Sequence, residues 1–539
     1  MKKGNLIAAL LCLVMLLTLI AGCGGSDSEK QNTTSPPTSG TSPSNTSPSN
    51  TPSPTESAAS GKDTLRIAVE ADAGTLDPIG LSQGGYTQVA YCYMEPLWDY
   101  RSNGDMVWLL ATSVDEVSPT QVTVHLREGV TFSNGNPLTA EDVLFTFELW
   151  RDTPNRATTL TQVDFEKTNV VNDLTLDLHF IAPAVNKMIM LGLVTITDAE
   201  SYDPVDFSLH PVGTGPYVVA EYVVNSHMNA KAREDYWGEK PAIANLQFKV
   251  LAEESQRINA LQTNTVDIAE VPNQDVDYAK GLSEYNIEFY YGAATRHILF
   301  NVNEASIFSN VDARYAVCHA IDKQAIKNIV YNGYADVASN PVSKYAGDYE
   351  PRFENMHDTY SIGYDPDLAK QYAESSGLVD KEVRIMTNGT SEFVAMAEII
   401  QASLKAIGVT ATINNYDQAT LRANYRTEPS FYDICLYFTG TPDNMVGSLL
   451  QRTITSSAIL TGSDWEGRDR FLELCAEVIV VGDKQERLDV IYEMLQIFTE
   501  ACLWYGVSDL ARAFASSTDI NNMGFYSQGG IRYQELSFA

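Results

Sequence analysis

The chain has 539 residues, 44% of them hydrophobic and 10% aromatic, and a formal net charge of -33. That is the composition of a globular body, and acidity on this scale sets nucleic acid aside as a partner. The plain reading of the acidity is a solvated surface; the sharper one is attraction for cationic ligands.

Lys2 and Lys3 open the chain, an apolar run extends from Leu6 to Ile20, and Ile20-Ala21-Gly22-Cys23 follows. A basic start and a run short of the ~20 residues a spanning helix needs predict an export signal over 1–22. Its last residues resemble a bacterial lipobox, which implies that Cys23 is lipidated at sulfur, becomes the new N-terminus and holds the protein on the extracytoplasmic face of the cell membrane. The alternative is an ordinary signal with an incidental cysteine. Residues 23–61 repeat Ser-Pro and Thr-Ser-Pro and hold almost no apolar side chains. They cannot bury enough surface to fold, and read as a disordered tether. Its reach is roughly 35 Å as a coil and about 110 Å if its prolines hold it extended. The remaining chain is longer than one core usually organises, so two or three lobes are expected.

Leu65, Ile67 and Val69 alternate with Arg66, Ala68 and Glu70, and the same period of two returns at 122–126 and 174–180. These predict half-buried strands, with His125 and His179 on polar faces. Thr139 ahead of Ala140, Glu141 and Asp142 predicts a capping-box start, and Val143, Phe147 and Trp150 mark the buried face of the helix it opens. Further helices are predicted from 393 to 407, with Gly408 as cap, and along the stripe Leu488, Ile491, Leu495, Phe498, Cys502. Strands and helices are mixed throughout, so the fold class is α/β or α+β, and no internal repeat is visible.

Candidate chemistry is sparse. Gly80-Leu81-Ser82-Gln83-Gly84 matches a nucleophile elbow and would make Ser82 an esterase nucleophile, but Asp77-Pro78 precedes it and Gly85 follows where strand and helix are needed. Gly213-Thr214-Gly215 lacks the third glycine of a dinucleotide loop and runs into Pro216, so it reads as a turn. Cysteines 92, 318, 435, 475 and 502 stand singly without a CxxC, and the histidines form no ligand pair. Each cysteine reads as a small buried apolar residue, and neither a metal site, a disulfide framework nor a cofactor is indicated. With no Walker motif and no HExxH, binding is favoured over catalysis.

Leu65-Arg66-Ile67-Ala68 with Thr75-Leu76-Asp77-Pro78 resembles the opening of the family 5 extracellular solute-binding proteins, the peptide, nickel and oligosaccharide receptors of ABC importers. Further blocks follow in the family's order: Leu126 to Val143, Pro211 to Tyr217, Arg233 to Gly238, Val266-Asp267-Ile268, Phe300-Asn301, Asp312 to Ala316 leading to Ala320-Ile321-Asp322, Tyr364-Asp365-Pro366 and Tyr432-Asp433-Ile434. The resemblance implies a two-lobed α/β body of periplasmic-binding type II. Lobe I would comprise 62–88, 208–298 and 504–539, with an inserted subdomain over 89–207; lobe II would be 299–503. It implies a monomer without catalytic step, whose partners are a small solute, a membrane permease and its ATPase.

By the same resemblance two segments line the interlobe cleft: Ser82, Gly84, Gly85 and Tyr86 from one lobe, and Leu436, Tyr437, Phe438, Gly440 and Asp443 from the other. Main-chain pairing with a peptide there would give affinity without demanding particular side chains. Peptide receptors of the family carry an aspartate that meets the ligand's ammonium, but matching Tyr432-Asp433-Ile434 puts Pro442 at that place and Asp443 one residue later. An Asp443 facing the cleft is compatible with an ammonium; one turned away favours an oligosaccharide, a nickel chelate or another solute. A sensory lipoprotein that binds peptide without importing it shares every feature named so far.

Overall fold

The computed structural model describes residues 62–81, 89–102, 104–154, 156, 159–441, 443, 445–526 and 529–539. The export signal, Cys23, the tether and Ser82, Gly84, Gly85 and Tyr86 lie outside the described residues. Among the described residues no helix is long and apolar enough to cross a membrane.

Strand β1 (Thr64–Val69) buries Leu65, Ile67 and Val69, as the alternation predicts, and Ala68 as well. β1 lies inside the sheet with a parallel neighbour on each side, and both its faces are covered: Leu65, Ile67 and Val69 enter one core, while Ala68 packs with Leu261 and Val266 in another. From β1 the chain enters an antiparallel sheet of β2 (Ala111–Ser118), β3 (Gln121–Leu126), β4 (Asn169–Asn172) and β5 (Thr175–His179), in the order β2-β3-β5-β4. Helix α1 (Ala140–Asp152) packs Val143, Phe147 and Trp150 inward. Its capping box closes between Thr139 N and Asp142 Oδ2 at 2.8 Å.

The chain returns through β6 (Tyr217–Val223), β7 (His227–Ala232), β8 (Asn245–Val250), β9 (Ile268–Val271) and the long β10 (Tyr285–Phe300). The turn predicted before β6 is tight for a steric reason. A Cβ on Gly213 would overlap the Tyr93 carbonyl oxygen, and one on Gly215 the Tyr93 carbonyl carbon. Beyond β10 come β11 (Glu382–Thr387), α2 (Ser391–Ala406), β12 (Thr410–Asn415), β13 (Ile434–Thr439), α3 (Val446–Thr455), α4 (Lys484–Glu500) and the second long strand, β14 (Trp504–Ser517). Gly408 follows α2 with φ +82, the left-handed turn its sequence position predicts. The helix α4 ends at Glu500, two residues short of the last member of its stripe. Cys502 sits past the helix with φ +47, buried, and its Sγ lies 3.2 Å from Sγ of Cys318. These two cysteines are buried as expected, but as a pair and not singly.

The long strands organise everything else. The main sheet runs β12-β11-β13-β10-β14-β9-β1-β8-β7-β6, so β10 and β14 lie side by side in its middle. Ile298, Leu299 and Phe300 of β10, with Trp504, Tyr505 and Val507 of β14, enter a core drawn from residues 298–507. Tyr290 of β10 and Phe514 of β14 enter a second core drawn from 65–268 and the C-terminal segment. The body is therefore two-lobed, and two hydrogen-bonded strands serve both lobes. Between their halves the pairing slips, at Tyr291/Thr295 and at Arg296/His297, around Gly292-Ala293-Ala294.

Candidate ligand-binding cleft

Strand β13 runs from the core of the second lobe toward this slip. Leu436 is fully buried in that core. The hydroxyl of Tyr437 accepts from Arg422 Nε at 2.9 Å and Gln418 Nε2 at 3.2 Å, which keeps its ring inside the lobe. Phe438 stacks on Tyr437 at 5.0 Å and carries the Arg296 guanidinium over its face at 5.7 Å. Gly440 then passes the crossover closely enough that a Cβ would stand 3.2 Å from the Ala293 carbonyl oxygen. Past it the chain turns into α3.

A cavity of about 420 Å³ opens where this turn faces the inserted segment. Its walls are Thr159 to Val163, Ala184 to Lys187 and Met190 on one side; on the other are Asp348, Thr441, Asp443, Met445, the face of α3 from Gly447 to Thr455 and Ser456 just after it, with Val478, Ile479 and Arg487. Of the described residues named for the cleft from sequence, Asp443 is in this wall; Leu436, Tyr437, Phe438 and Gly440 are not among its lining residues.

Asp443 is 3% exposed. Its Oδ2 accepts from Asn186 Nδ2 of the inserted segment at 2.7 Å and from the Ser448 hydroxyl, and its Oδ1 accepts from Met445 N at 3.3 Å. Asn186 thus reaches across the cleft to a carboxylate on the other wall, a charge-assisted bond. Beside it Asp348 takes the Val446 and Gly447 backbone N–H groups at the start of α3. Burial raises the Asp348 pKa, and those two N–H groups oppose the rise. Nothing local in sequence announces Asp348, which serves α3 from 98 residues away. Asn186 and Ser448 were equally silent.

Two half-buried ion pairs flank the slip between β10 and β14. Arg296 Nε meets Glu392 Oε1 at 2.6 Å, with the Tyr331 hydroxyl on the same oxygen at 2.7 Å. Burial works against the charge of Arg296, but the Glu392 carboxylate outweighs it and holds the guanidinium pKa above its ordinary value. Arg512 Nε donates to Glu270 Oε1 at 2.9 Å on the other side. Between them Asp509 accepts from the Thr295 hydroxyl at 2.9 Å, and burial pushes its carboxyl up to about 6. Among the described residues no group of three or more His, Cys, Asp or Glu could hold a metal ion.

Residues 105–453 match the model of the bacterial extracellular solute-binding proteins, family 5, middle region. The heme-binding protein A of Haemophilus influenzae is 25% identical over 415 residues, 70% of this chain and 73% of its own length. The dipeptide-binding protein of Escherichia coli is 27% identical over 329 residues, 55% of this chain and 60% of its own. Among solved structures, the substrate-binding protein CtaP of Listeria monocytogenes superposes with a TM-score of 0.78 at 21% identity, covering 88% of this chain and all of that one. NikA of Brucella suis in complex with Fe(III)-EDTA gives 0.78 at 19%, covering 89% and 100%. DppA of Helicobacter pylori in complex with the peptide STSA gives 0.72 at 20%, covering 88% and 98%. At these identities the structures share the fold, two lobes around a cleft, while the family match spans most of the chain. The chain belongs to the bacterial extracellular solute-binding proteins of family 5.

Proposed function

We propose that this protein is the lipid-anchored receptor of an ABC importer, capturing short peptides in the cleft and delivering them to a membrane permease and its ATPase. The observation that carries the reading is Asp443: its carboxylate lies in the wall of the cavity, with Asn186 opposite. A buried carboxylate at a cavity wall suits a ligand ammonium. The peptide-binding relatives support the same cargo. Lobe I would take in 62–88, 208–298 and 504–539, the inserted subdomain 89–207, and lobe II 299–503. Ligand holds them closed because the closed form makes contacts with it that the open form lacks, and the permease reads the closed form. Export and lipidation at Cys23 would place the receptor outside the cell on its tether, working as a monomer. Cys23→Ser would release it to the medium, which fractionation detects.

A chelated metal is the second reading, supported by the likeness to NikA in complex with Fe(III)-EDTA; a chelate brings its own ligands and asks little of the protein. Native mass spectrometry of protein purified without denaturant separates the two. A set of short peptides travelling with the chain is the expected result; a metal complex or a sugar overturns the peptide assignment and leaves the importer receptor standing.

A further inference from the structure

The helix Val311–Ala320 lies against the end of α4, and its side chains grip the chain there. Arg314 Nε donates to the Ala501 carbonyl at 2.9 Å, and the Tyr315 hydroxyl donates to the Glu500 carbonyl at 2.7 Å. One turn beyond Arg314, Cys318 meets Cys502, with 3.2 Å between their Sγ atoms. The two sulfurs are thus brought together by contacts that owe nothing to sulfur. Both residues belong to the core of the second lobe, 0% and 1% exposed.

Cys502 holds its place at a conformational cost. Its N–H donates to the Thr499 carbonyl at 2.9 Å and the Leu503 N–H to the Phe498 carbonyl at 3.5 Å, the two bonds that end a helix in a left-handed residue. That residue is usually glycine, because a Cβ is disfavoured there; here it is a cysteine with φ +47. A side chain kept where glycine is easier calls for a use, and this one sets its sulfur against that of Cys318. Cys92, Cys435 and Cys475 are buried as well, and among the described residues none of them touches another cysteine.

Resting on the reading that the chain is exported, we propose that Cys318 and Cys502 form a disulfide in the exported protein. The sulfurs need approach by ~1.2 Å to reach a bonded separation of about 2.05 Å. Outside the cell such bonds form and persist. The thiolate of one cysteine attacks an extracytoplasmic disulfide oxidant and displaces one of its sulfurs as a thiolate. The thiolate of the other then attacks the first cysteine's sulfur in this mixed disulfide, so the S–S bond forms within the chain and the oxidant leaves as a dithiol. Two S–H bonds of the protein are lost, and their two protons and two electrons end on the oxidant. In the finished fold burial holds the Cys318 thiol well above its ordinary range, which keeps it protonated and unreactive. The bond therefore forms while this seam is still open to solvent. It closes a loop between residues 184 apart that contains most of the second lobe's core, and closing a longer loop removes more entropy from the unfolded chain.

The test takes the full chain from fractionated cells, unfolds and alkylates it without reductant, and maps its peptides by mass spectrometry. Residues 318 and 502 are expected in one cross-linked species, with residues 92, 435 and 475 alkylated singly. A chain on the cell surface that yields 318 and 502 as separate alkylated peptides overturns the disulfide. A chain found in the cytosol alone overturns export instead, and the pair is then judged on protein refolded in a mixture of reduced and oxidised glutathione: cross-linked peptides support it and separate ones overturn it. The cross-linked protein should melt at least about 5 °C above the same protein refolded with reductant. Cys318→Ala is expected to abolish that difference. Equal melting of the two unaltered forms overturns the closure of the second lobe by this bond.

Discussion

Asp509 shows how one side chain makes stability depend on pH. Its carboxyl is pushed up to about 6 by burial, above the 3.8 of the unfolded chain, so the folded state binds the proton more tightly. That contribution is complete below about pH 4 and is lost as pH rises through 6. A shift of this size corresponds to about 3 kcal/mol. Asp509→Asn keeps an oxygen for the Thr295 hydroxyl while removing the charge, and should raise the melting temperature at pH 7.5 while leaving it nearly unchanged at pH 4. A melting temperature that falls at both pH values would mean that the ionised carboxylate stabilises the crossover. Asn186 is a second single-residue case. Truncating Asn186→Ala leaves Asp443 short of a charge-assisted partner across the cleft, a loss of about 1.5 to 3 kcal/mol for such a bond. It acts between the cleft walls and leaves each core untouched, so the empty protein should show a larger radius of gyration by small-angle scattering with little change in melting temperature.

Elements were legible where one local rule decided them. Thr139 and Asp142 mark the start of α1 because a capping box needs only four residues. Thr139→Ala is accordingly expected to cost about 1 kcal/mol, read as a shift in denaturant midpoint at constant slope. Close approach is less visible. Gly213 and Gly215 suggested a turn from sequence, but the reason they must be glycine is the Tyr93 backbone more than a hundred residues earlier. Gly213→Ala should therefore be far worse than a surface turn substitution, with at least ~3 kcal/mol lost or no folded protein recovered, since backbone on both sides has no room to move. The site suffered most from this distinction. Asp443 could be singled out by its neighbours in the chain, whereas Asn186, Asp348 and Arg487 reach the same cavity from separate segments. Residues brought together by topology alone leave no spacing to read.

At the scale of the molecule, two lobes were legible from chain length and from the family's blocks, but the way they join was not. β10 and β14 look like ordinary apolar strands; only their pairing reveals that each serves two cores and that their register slips at Gly292-Ala293-Ala294. The position of β14 also sets an order of events. It lies between β9 and β10, in the middle of the main sheet, yet it is the last long strand to be synthesised. Until it emerges, β9 and β10 face a gap, and the hydrogen bonds of both are unpaired on that side. A growing chain of this design can close its local sheets early but cannot join its two halves through the main sheet until translation is nearly finished, so it stays short of the native state for almost the whole of its synthesis.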